Sequence, residues 1–295
     1  MMKKSYFNKF TSIAAVSVIL LALPSVAFSW QCTEGSVSGN NVQEIEDRRA
    51  PGHSSSPYGS QIRKAKLQIG DDSDTCFAEG DSIGDEDAFN DHFWLSSSGN
   101  TVYFEESGDA FRSELREQRE FTVDQTGNDY VRTHARILNR EGGVEEITIA
   151  QLHSEDSSGP VARLNWAAAG VNTDVDGDSR EGMWLSIRQS PTCSSGSSTC
   201  FSHSFVGNID GSYRTYRLGM WGNQLRLSVD GNYVNLEMED IFDLDNDGNR
   251  GEKTTRTTIN LNNSAWDGQR LYLKLGSYIN SDGGGRSGHR DVRFF

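Results

Sequence analysis

Arg112, Glu114 and Arg116 occupy alternate positions in one short segment, and Gln151 and His153 do so in another. Successive side chains of a β-strand point to opposite faces, so each set would lie on a single strand face. Guanidinium groups bind carboxylates through a planar fork, and a glutamate between two arginines can hold them in place. An amide can donate to a carboxylate, and histidine transfers protons near neutral pH. The alternatives are a solvated ladder of salt bridges and a structural histidine at a strand end.

A third segment, residues 271–279, alternates leucines with polar side chains. Tyr272, Lys274 and Tyr278 would share the face opposite the leucines, so one face would pack and the other would present chemistry. A plain cross-strand surface cluster is the alternative. A similar basic row on another candidate strand consists of Arg132, His134 and Arg136.

Together, these residue types suit a polymer whose carboxylate must be neutralised while a neighbouring carbon loses a proton. In a uronic acid the C5 proton lies next to the C6 carboxylate, so its removal adds negative charge to a group that is already anionic. Fixed donors around the carboxylate would stabilise that charge, and a positioned base and acid would complete β-elimination across C4–C5. This scheme requires no metal or organic cofactor for catalysis.

Such side chains need strands to hold them, and short alternating runs bounded by Gly, Asn and Asp recur along the chain. Strands are predicted within 101–104, 130–138, 146–153, 183–187, 224–229, 233–238 and 270–279. Asp230-Gly231-Asn232 is a strong hairpin signal. Many strands and scarce helical periodicity predict one all-β domain, an antiparallel sandwich or jelly roll.

The amino-terminal segment 1–29 is predicted to be a signal peptide. It has three lysines, then an apolar run over 13–23 and a small-residue pattern that ends at Ser29. Cleavage near Ser29 would leave 30–295 as the mature domain. The apolar run is short for a membrane span and no second run of that length occurs, so we expect a secreted protein, extracellular or periplasmic, without a membrane partner.

Composition excludes two classes of protein. With 28 Lys+Arg against 42 Asp+Glu the formal charge is −14, which argues against a nucleic-acid partner. Ten per cent aromatic residues is too many for a disordered chain. An acidic chain can still act on a polyanion if its positive groups gather in one groove. The groups expected there are Arg112, Arg116, Arg132, Arg136 and Lys274.

Four cysteines in an exported chain predict two disulfides. Three pairings are formally available. We favour Cys193–Cys200, which closes a short Ser/Gly-rich loop, together with Cys32–Cys76.

An acidic segment near residue 245 resembles the start of a calcium loop. Asp243, Asp245 and Asp247 have the alternate spacing of such ligands. A structural calcium there is one interpretation, and a plain Asp/Gly-rich turn is the other.

Three ordered motifs resemble those of the alginate lyases of polysaccharide lyase family 7, which are R-[ST]-E-L-R, Q-[IV]-H and Y-x-K-x-G-x-Y-x-Q. The corresponding segments are 112–116 (RSELR), 151–153 (QLH) and 272–280 (YLKLGSYIN). Each motif is short, but the order and spacing of all three are specific. The resemblance implies a β-jelly roll sandwich of two antiparallel sheets whose concave sheet forms the substrate groove.

The resemblance also implies roles. Arg112 and Gln151 would neutralise the uronate carboxylate, His153 would abstract the C5 proton of guluronate, and Tyr278 would protonate the leaving oxygen. On mannuronate Tyr278 would serve as both base and acid. Further substrate contacts are predicted for Glu114, Arg116, Arg136, Tyr272, Lys274 and Asn280. The implied partner is alginate, as polymannuronate or polyguluronate, and the expected state is a monomer.

Two positions depart from the family pattern, Leu152 in place of Ile or Val and Asn280 in place of Gln. The first is the position associated with guluronate or mannuronate preference, so that preference stays open. Two other functions compete with an alginate lyase. One is a lyase for another polyuronate such as glucuronan, and the other is a non-catalytic carbohydrate-binding module on the same scaffold.

Overall fold

A computed structural model describes most of the chain after residue 50. The described residues are 51–52, 55–70, 78–79, 83, 92–106, 111–123, 127–157, 159–193, 200–209, 211–239, 253–262, 265–279 and 283–295. The predicted signal peptide, the Cys32–Cys76 bridge, the acidic segment of Asp243, Asp245 and Asp247, and Asn280 lie outside them. Within these ranges no helix has the length and apolarity needed to cross a membrane.

The described chain folds almost entirely as strands. In chain order the elements are α1 (Gly59–Ile62), β1 (Ala65–Ile69), β2 (Ala78–Glu79), β3 (Phe93–Leu95), β4 (Val102–Glu106), β5 (Arg112–Glu117), β6 (Phe121–Thr122), β7 (Asn128–Glu141), β8 (Glu146–Ser154), β9 (Pro160–Ala167), β10 (Gly182–Arg188), β11 (Phe201–Gly207), β12 (Arg214–Trp221), β13 (Gln224–Val229), β14 (Asn232–Tyr233), β15 (Leu236–Glu239), β16 (Lys253–Arg256), β17 (Ile259–Asn260), β18 (Arg270–Ile279) and β19 (Gly284–Phe294).

Two large antiparallel sheets form the sandwich. The first sheet has nine strands in the order β11-β10-β9-β8-β18-β5-β1-β2, with β6 paired to β18. The second has eight strands in the order β14-β13-β12-β7-β19-β4-β3, with β17 paired to β13. β15 and β16 pair separately. The predicted all-β antiparallel sandwich is therefore confirmed.

The apolar core lies against the inner faces of the sheets. Leu115 of β5 is opposite Leu275 of β18, and Leu273 of β18 is opposite Leu152 of β8. All four side chains are fully buried. Their burial is a main source of sandwich stability, because apolar area removed from water contributes about 25 cal/mol per Å². The expected leucine face of 271–279 is thus the packed face.

Most predicted strands are present, and one is divided. Asp230 and Gly231 both have positive φ, 51° and 88°, which joins β13 and β14 in the predicted hairpin. The run predicted at 233–238 splits, because its first residue pairs with β13 and its later part pairs with β16.

The Cys193–Cys200 disulfide is confirmed, with a Cα–Cα distance of 5.6 Å.

A buried polar chain connects the second sheet to β18. The Thr133 hydroxyl lies 2.7 Å from Nδ1 of His289, and Ser287 Oγ lies 2.9 Å from Nε2. Ser287 also donates to the Gly276 carbonyl at 3.1 Å. A neutral imidazole with its proton on Nε2 satisfies every one of these contacts. Burial lowers the pKa of His289 to about 3.

We expect this histidine to make folding stability fall on acidification. The unfolded chain takes up a proton near pH 6.5, whereas the folded chain does so only near pH 3, so acid favours unfolding across that window. The slope should approach about 1.4 kcal/mol per pH unit for this residue. Urea unfolding at roughly pH 4 to roughly pH 7 measures this slope, and His289→Gln should flatten the profile. An identical slope in the variant would contradict the assignment.

Candidate active site

Three adjacent strands of the first sheet carry the predicted chemical residues. β18 lies between β5 and β8, so Lys274 is opposite both Arg116 and Gln151. In the same way Tyr272 is opposite His153, and Tyr278 is opposite Arg112. These side chains occupy the sheet face opposite the core leucines. The structure therefore brings eight predicted residues together, Glu114 among them, although the three segments are far apart in sequence.

Gly276 allows β5 and β18 to approach closely at this point. A Cβ atom on Gly276 would lie 2.3 Å from the Ser113 carbonyl oxygen and 2.6 Å from Cα of Glu114. Any side chain there would have to push the two strands apart. The glycine of the third motif is therefore explained by backbone packing beside Glu114.

Glu114 is the anionic centre of the cluster and is only 1% exposed. Its Oε1 accepts a hydrogen bond from the Gln151 amide. Its Oε2 lies 3.4 Å from Lys274 Nζ and 3.8 Å from Arg112 Nε. A buried carboxylate is tolerated when hydrogen bonds and charges surround it. Here it orients an amide, an ammonium and a guanidinium toward one another.

Arg112 keeps unused hydrogen-bonding capacity. The residue is 7% exposed, and its Nε and Nη1 atoms are buried without a hydrogen-bond partner among the described residues. Its guanidinium carbon lies 5.1 Å from the centroid of the Tyr278 ring. Two cations, Arg112 and Lys274, lie beside the Glu114 carboxylate. A carboxylate of a bound molecule could therefore balance the remaining positive charge.

Arg116 is held differently, at the edge of the cluster. Its guanidinium lies over the Tyr272 ring, 4.0 Å from the centroid. It forms ion pairs with Glu155 and with Glu120, the latter at 3.2 Å. Arg116 therefore supports the position of Tyr272, and its charge is already compensated.

His153 is placed to act as a neutral base. Its Nδ1 lies 2.8 Å from the Ser154 carbonyl oxygen and 2.9 Å from the Tyr272 hydroxyl, and its ring stacks on that tyrosine at 5.0 Å. A carbonyl oxygen only accepts, so we assign the proton to Nδ1, which leaves Nε2 as the free base. Burial, then the charges of Lys274 and Arg112, hold the pKa of His153 well below its usual value.

The two tyrosines of the cluster stay protonated. Burial raises the pKa of Tyr278, against the opposing effect of Arg112. Burial likewise raises the pKa of Tyr272, against the effect of Arg116. Both phenols can therefore donate a proton at neutral pH. Burial also lowers the pKa of Lys274 to about 8, although Glu114 favours the charged form.

The polar face continues beyond the three motifs. Lys66, Arg116, Lys274, Gln151 and Arg163 lie at directly opposed positions on five neighbouring strands. Sequence reasoning missed Arg163 and Lys66. The Arg163 side chain pairs with Glu146 at 3.0 Å. The alternation of polar and apolar residues in β9 could have placed Arg163 on the polar face from the sequence.

One predicted substrate contact, Arg136, is not part of this cluster. Arg136 lies on β7 in the second sheet, where its Nη1 donates to the Gly211 carbonyl at 3.3 Å. Arg132 is on the same strand. The expectation that both share a groove with Arg112 and Lys274 is therefore wrong, because alternation within a strand does not determine the sheet to which the strand belongs. Asn280 lies outside the described residues.

No group of three or more His, Cys, Asp or Glu side chains that could hold a metal ion occurs within the described ranges. The acidic segment predicted for calcium is not among those residues. That prediction stays open.

Known proteins are similar to this chain in family and in fold. The family model described as alginate lyase matches residues 79–295. Alginate lyase AlyC3 in complex with dimannuronate has a TM-score of 0.63 and 14% identity, covering 88% of this chain and 98% of that chain. Alginate lyase A1-II′, a member of polysaccharide lyase family 7, has a TM-score of 0.56 and 14% identity, covering 84% and 98%.

A third similar structure is alginate lyase PA1167 from Pseudomonas aeruginosa, with a TM-score of 0.53 and 17% identity over 79% of this chain and 98% of that chain. No curated protein matches the chain by sequence. The structural likeness confirms the predicted jelly-roll class. Because the family model spans most of the chain, this protein belongs to the alginate lyase family and is a polysaccharide lyase.

Proposed function

We propose that the protein cleaves the 4-O-glycosidic bond of alginate by β-elimination and leaves an unsaturated uronate at the new non-reducing end. One observation carries this proposal. The guanidinium of Arg112, with buried donors that have no partner among the described residues, lies in a cluster that also holds a neutral imidazole and two protonated phenols.

The first task is to neutralise the uronate carboxylate. Arg112 has free donors for it, and Gln151 and Lys274 are held at the same place by Glu114. These donors are fixed before substrate arrives, so they need no reorganisation as charge develops on the carboxylate. The bound carboxylate also opposes the positive charges that lower the pKa of His153, which strengthens that base when substrate is present.

The second task is proton transfer. For guluronate, Nε2 of His153 takes the C5 proton, the C5–H electron pair forms the C4–C5 double bond, and the C4–O bond breaks. Tyr278 then gives its phenolic proton to the departing oxygen. For mannuronate, proton and leaving group lie on the same side, so Tyr278 serves as base and then as acid. Because burial raises the pKa of Tyr278, this route requires the phenol first to lose its proton to solvent or to a neighbouring base; the phenolate then takes the C5 proton and passes it to the leaving oxygen. All of these steps use side chains alone, so the scheme calls for no cofactor.

The setting of the reaction is also part of the proposal. The pattern of residues 1–29 supports export, to the periplasm or the medium, with residues 30–295 as the catalytic domain. We expect a monomer. Leu152 is fully buried in the core, so any effect on uronate preference must act through the backbone of Gln151 and His153.

The test is direct. Purified protein is incubated with polymannuronate, polyguluronate, alginate and glucuronan, and the ultraviolet absorbance of the unsaturated product is followed. An increase with alginate and its block polymers supports the proposal. An increase with glucuronan alone would show that the substrate is another polyuronate. No increase with any polymer would overturn the proposed β-elimination.

We expect the alkaline side of the pH profile to report Lys274. Its pKa of about 8 means that the ammonium loses its charge above that pH, so binding of a carboxylate weakens. kcat/KM, which follows groups of the free enzyme, should fall above about pH 8. Lys274→Arg, which keeps the charge, should shift this fall to higher pH. Superimposable profiles for the two proteins would exclude Lys274 as the titrating group.

A further inference from the structure

The outer face of the second sheet carries a row of arginines that the proposed reaction does not use. Arg293 of β19 is opposite Arg132 of β7, and Arg132 is opposite Arg217 of β12. Arg226 lies on the next strand, β13, opposite Gly219. We call these four residues the outer arginine row. Neighbouring strands are about 4.8 Å apart, so the row concentrates positive charge on one surface.

This charge is poorly compensated within the described part of the chain. Asp291 pairs with Arg132 at 3.0 Å and with Arg293 at 2.8 Å. Arg217 has no ion pair in the described ranges, and its buried Nε atom lacks a hydrogen-bond partner there. Like charges directly opposite on neighbouring strands are destabilising. An arrangement of this kind is expected where an anion binds.

Aromatic rings border the outer arginine row. Tyr130 stacks between Trp221 at 4.8 Å and Phe295 at 4.5 Å, with interplanar angles of 10° and 14°. Tyr233 meets the Trp221 ring edge-on at 6.3 Å, and Arg226 lies 5.3 Å from the Tyr233 centroid. Tyr233 is 50% exposed and Phe295 is 40% exposed. Large exposed aromatics beside arginines are typical of binding surfaces.

The same face also holds the remainder of the basic row noted in the sequence. Arg136 and Arg290 contact the Tyr213 ring, at 4.6 Å and 3.9 Å from its centroid, and His134 meets that ring edge-on at 5.4 Å. The positive surface therefore extends along β7 from Arg132 to Arg136. An acidic protein of formal charge −14 has here a local field of the opposite sign.

We propose that this face is a second, non-catalytic binding surface for a polyuronate chain. Carboxylates repeated along the polymer match guanidinium groups repeated across the strands, and the aromatic rings offer contacts to sugar C–H groups. The choice of a polyuronate as occupant rests on the proposed function. Binding there would hold the enzyme on the polymer and raise the effective concentration of further bonds at the active site.

The test measures polymer binding separately from turnover. Arg217→Gln/Arg226→Gln is introduced into a Tyr278→Phe background, which should leave the polymer intact, and mobility is measured in native gels that contain increasing alginate or glucuronan. Arg180→Gln/Lys253→Gln is the matched control, since it removes the same charge from residues that contact Phe205 and Glu237 elsewhere. Loss of two ion pairs between solvent-accessible arginines and the polymer should weaken retention about tenfold.

Further measurements decide whether the second surface exists and whether it binds polyuronates. With Tyr278 retained, the Arg217/Arg226 variant should cleave a short oligouronate with unchanged kcat and KM. Equal retention of parent and variant, or an equal loss in the control, would overturn the second surface. An equal loss of retention on polyglutamate would overturn the polyuronate assignment in favour of a general polyanion surface. Failure of the proposed function would instead appear as no unsaturated product from the unsubstituted protein.

Discussion

Tyr278→Phe is expected to lower kcat by at least about 10²-fold, because the leaving oxygen loses its proton donor. The ring should stay in place, since the Arg112 guanidinium lies 5.1 Å from its centroid, and the substitution removes only the hydrogen bond between the Tyr278 hydroxyl and Arg112. Tm and KM should therefore change little. Release of unsaturated product under saturating substrate, together with thermal melting, measures both parts of this prediction.

Tyr272→Phe is the matched comparison. Tyr272 is the other buried phenol, and its hydroxyl lies 2.9 Å from Nδ1 of His153. If Tyr278 is the acid, the Tyr272 variant should lose less activity, because the Nδ1 proton is still held by the Ser154 carbonyl at 2.8 Å. A nearly inactive Tyr272 variant beside an active Tyr278 variant would give the acid role to Tyr272.

Glu114→Ala should have the largest combined effect on stability and activity. Removal of this carboxylate would leave Lys274 buried without its counter-charge and Gln151 without its acceptor. Breaking one partner of a buried pair typically costs about 3–5 kcal/mol of folding free energy. Activity should fall as well, because the donors that meet the substrate carboxylate would no longer be oriented. Urea unfolding measures the loss of folding free energy, and the rate of product formation measures the loss of activity.

Glu120→Ala is the control for that experiment. Glu120 pairs with Arg116 at 3.2 Å, but its side chain is 30% exposed, so its loss should cost no more than about 1 kcal/mol. Glu114→Gln adds a second comparison, since it keeps the shape and removes the charge. If Glu114→Ala were no more destabilising than Glu120→Ala, Glu114 would not be the electrostatic centre of the cluster.

Much of the site could be predicted because side-chain direction in a strand is a local property. The alternation of Arg112, Glu114 and Arg116 was enough to place them on one face, and the leucines of β18 were enough to identify its packed side. The hairpin at Asp230-Gly231 was likewise local, since positive φ at both positions is needed for that turn.

Prediction from the sequence failed where the pairing of distant strands decides which sheet a strand joins. Arg132 and Arg136 have the same alternate spacing as the site arginines, yet β7 lies in the other sheet. The strand predicted at 233–238 divides because its two parts find different partners. Spacing within one segment carries no information about which distant segment will lie beside it.

The amino-acid sequence by itself determined the residue types, the faces they share and the three motifs that resemble the family. Only the tertiary structure decided that Lys274 lies between Arg116 and Gln151, that Glu114 is buried among them, and that the pKa of His153 is lowered. The physical reason is that strand register and desolvation depend on contacts between segments far apart in the chain, whereas strand alternation depends only on the local backbone.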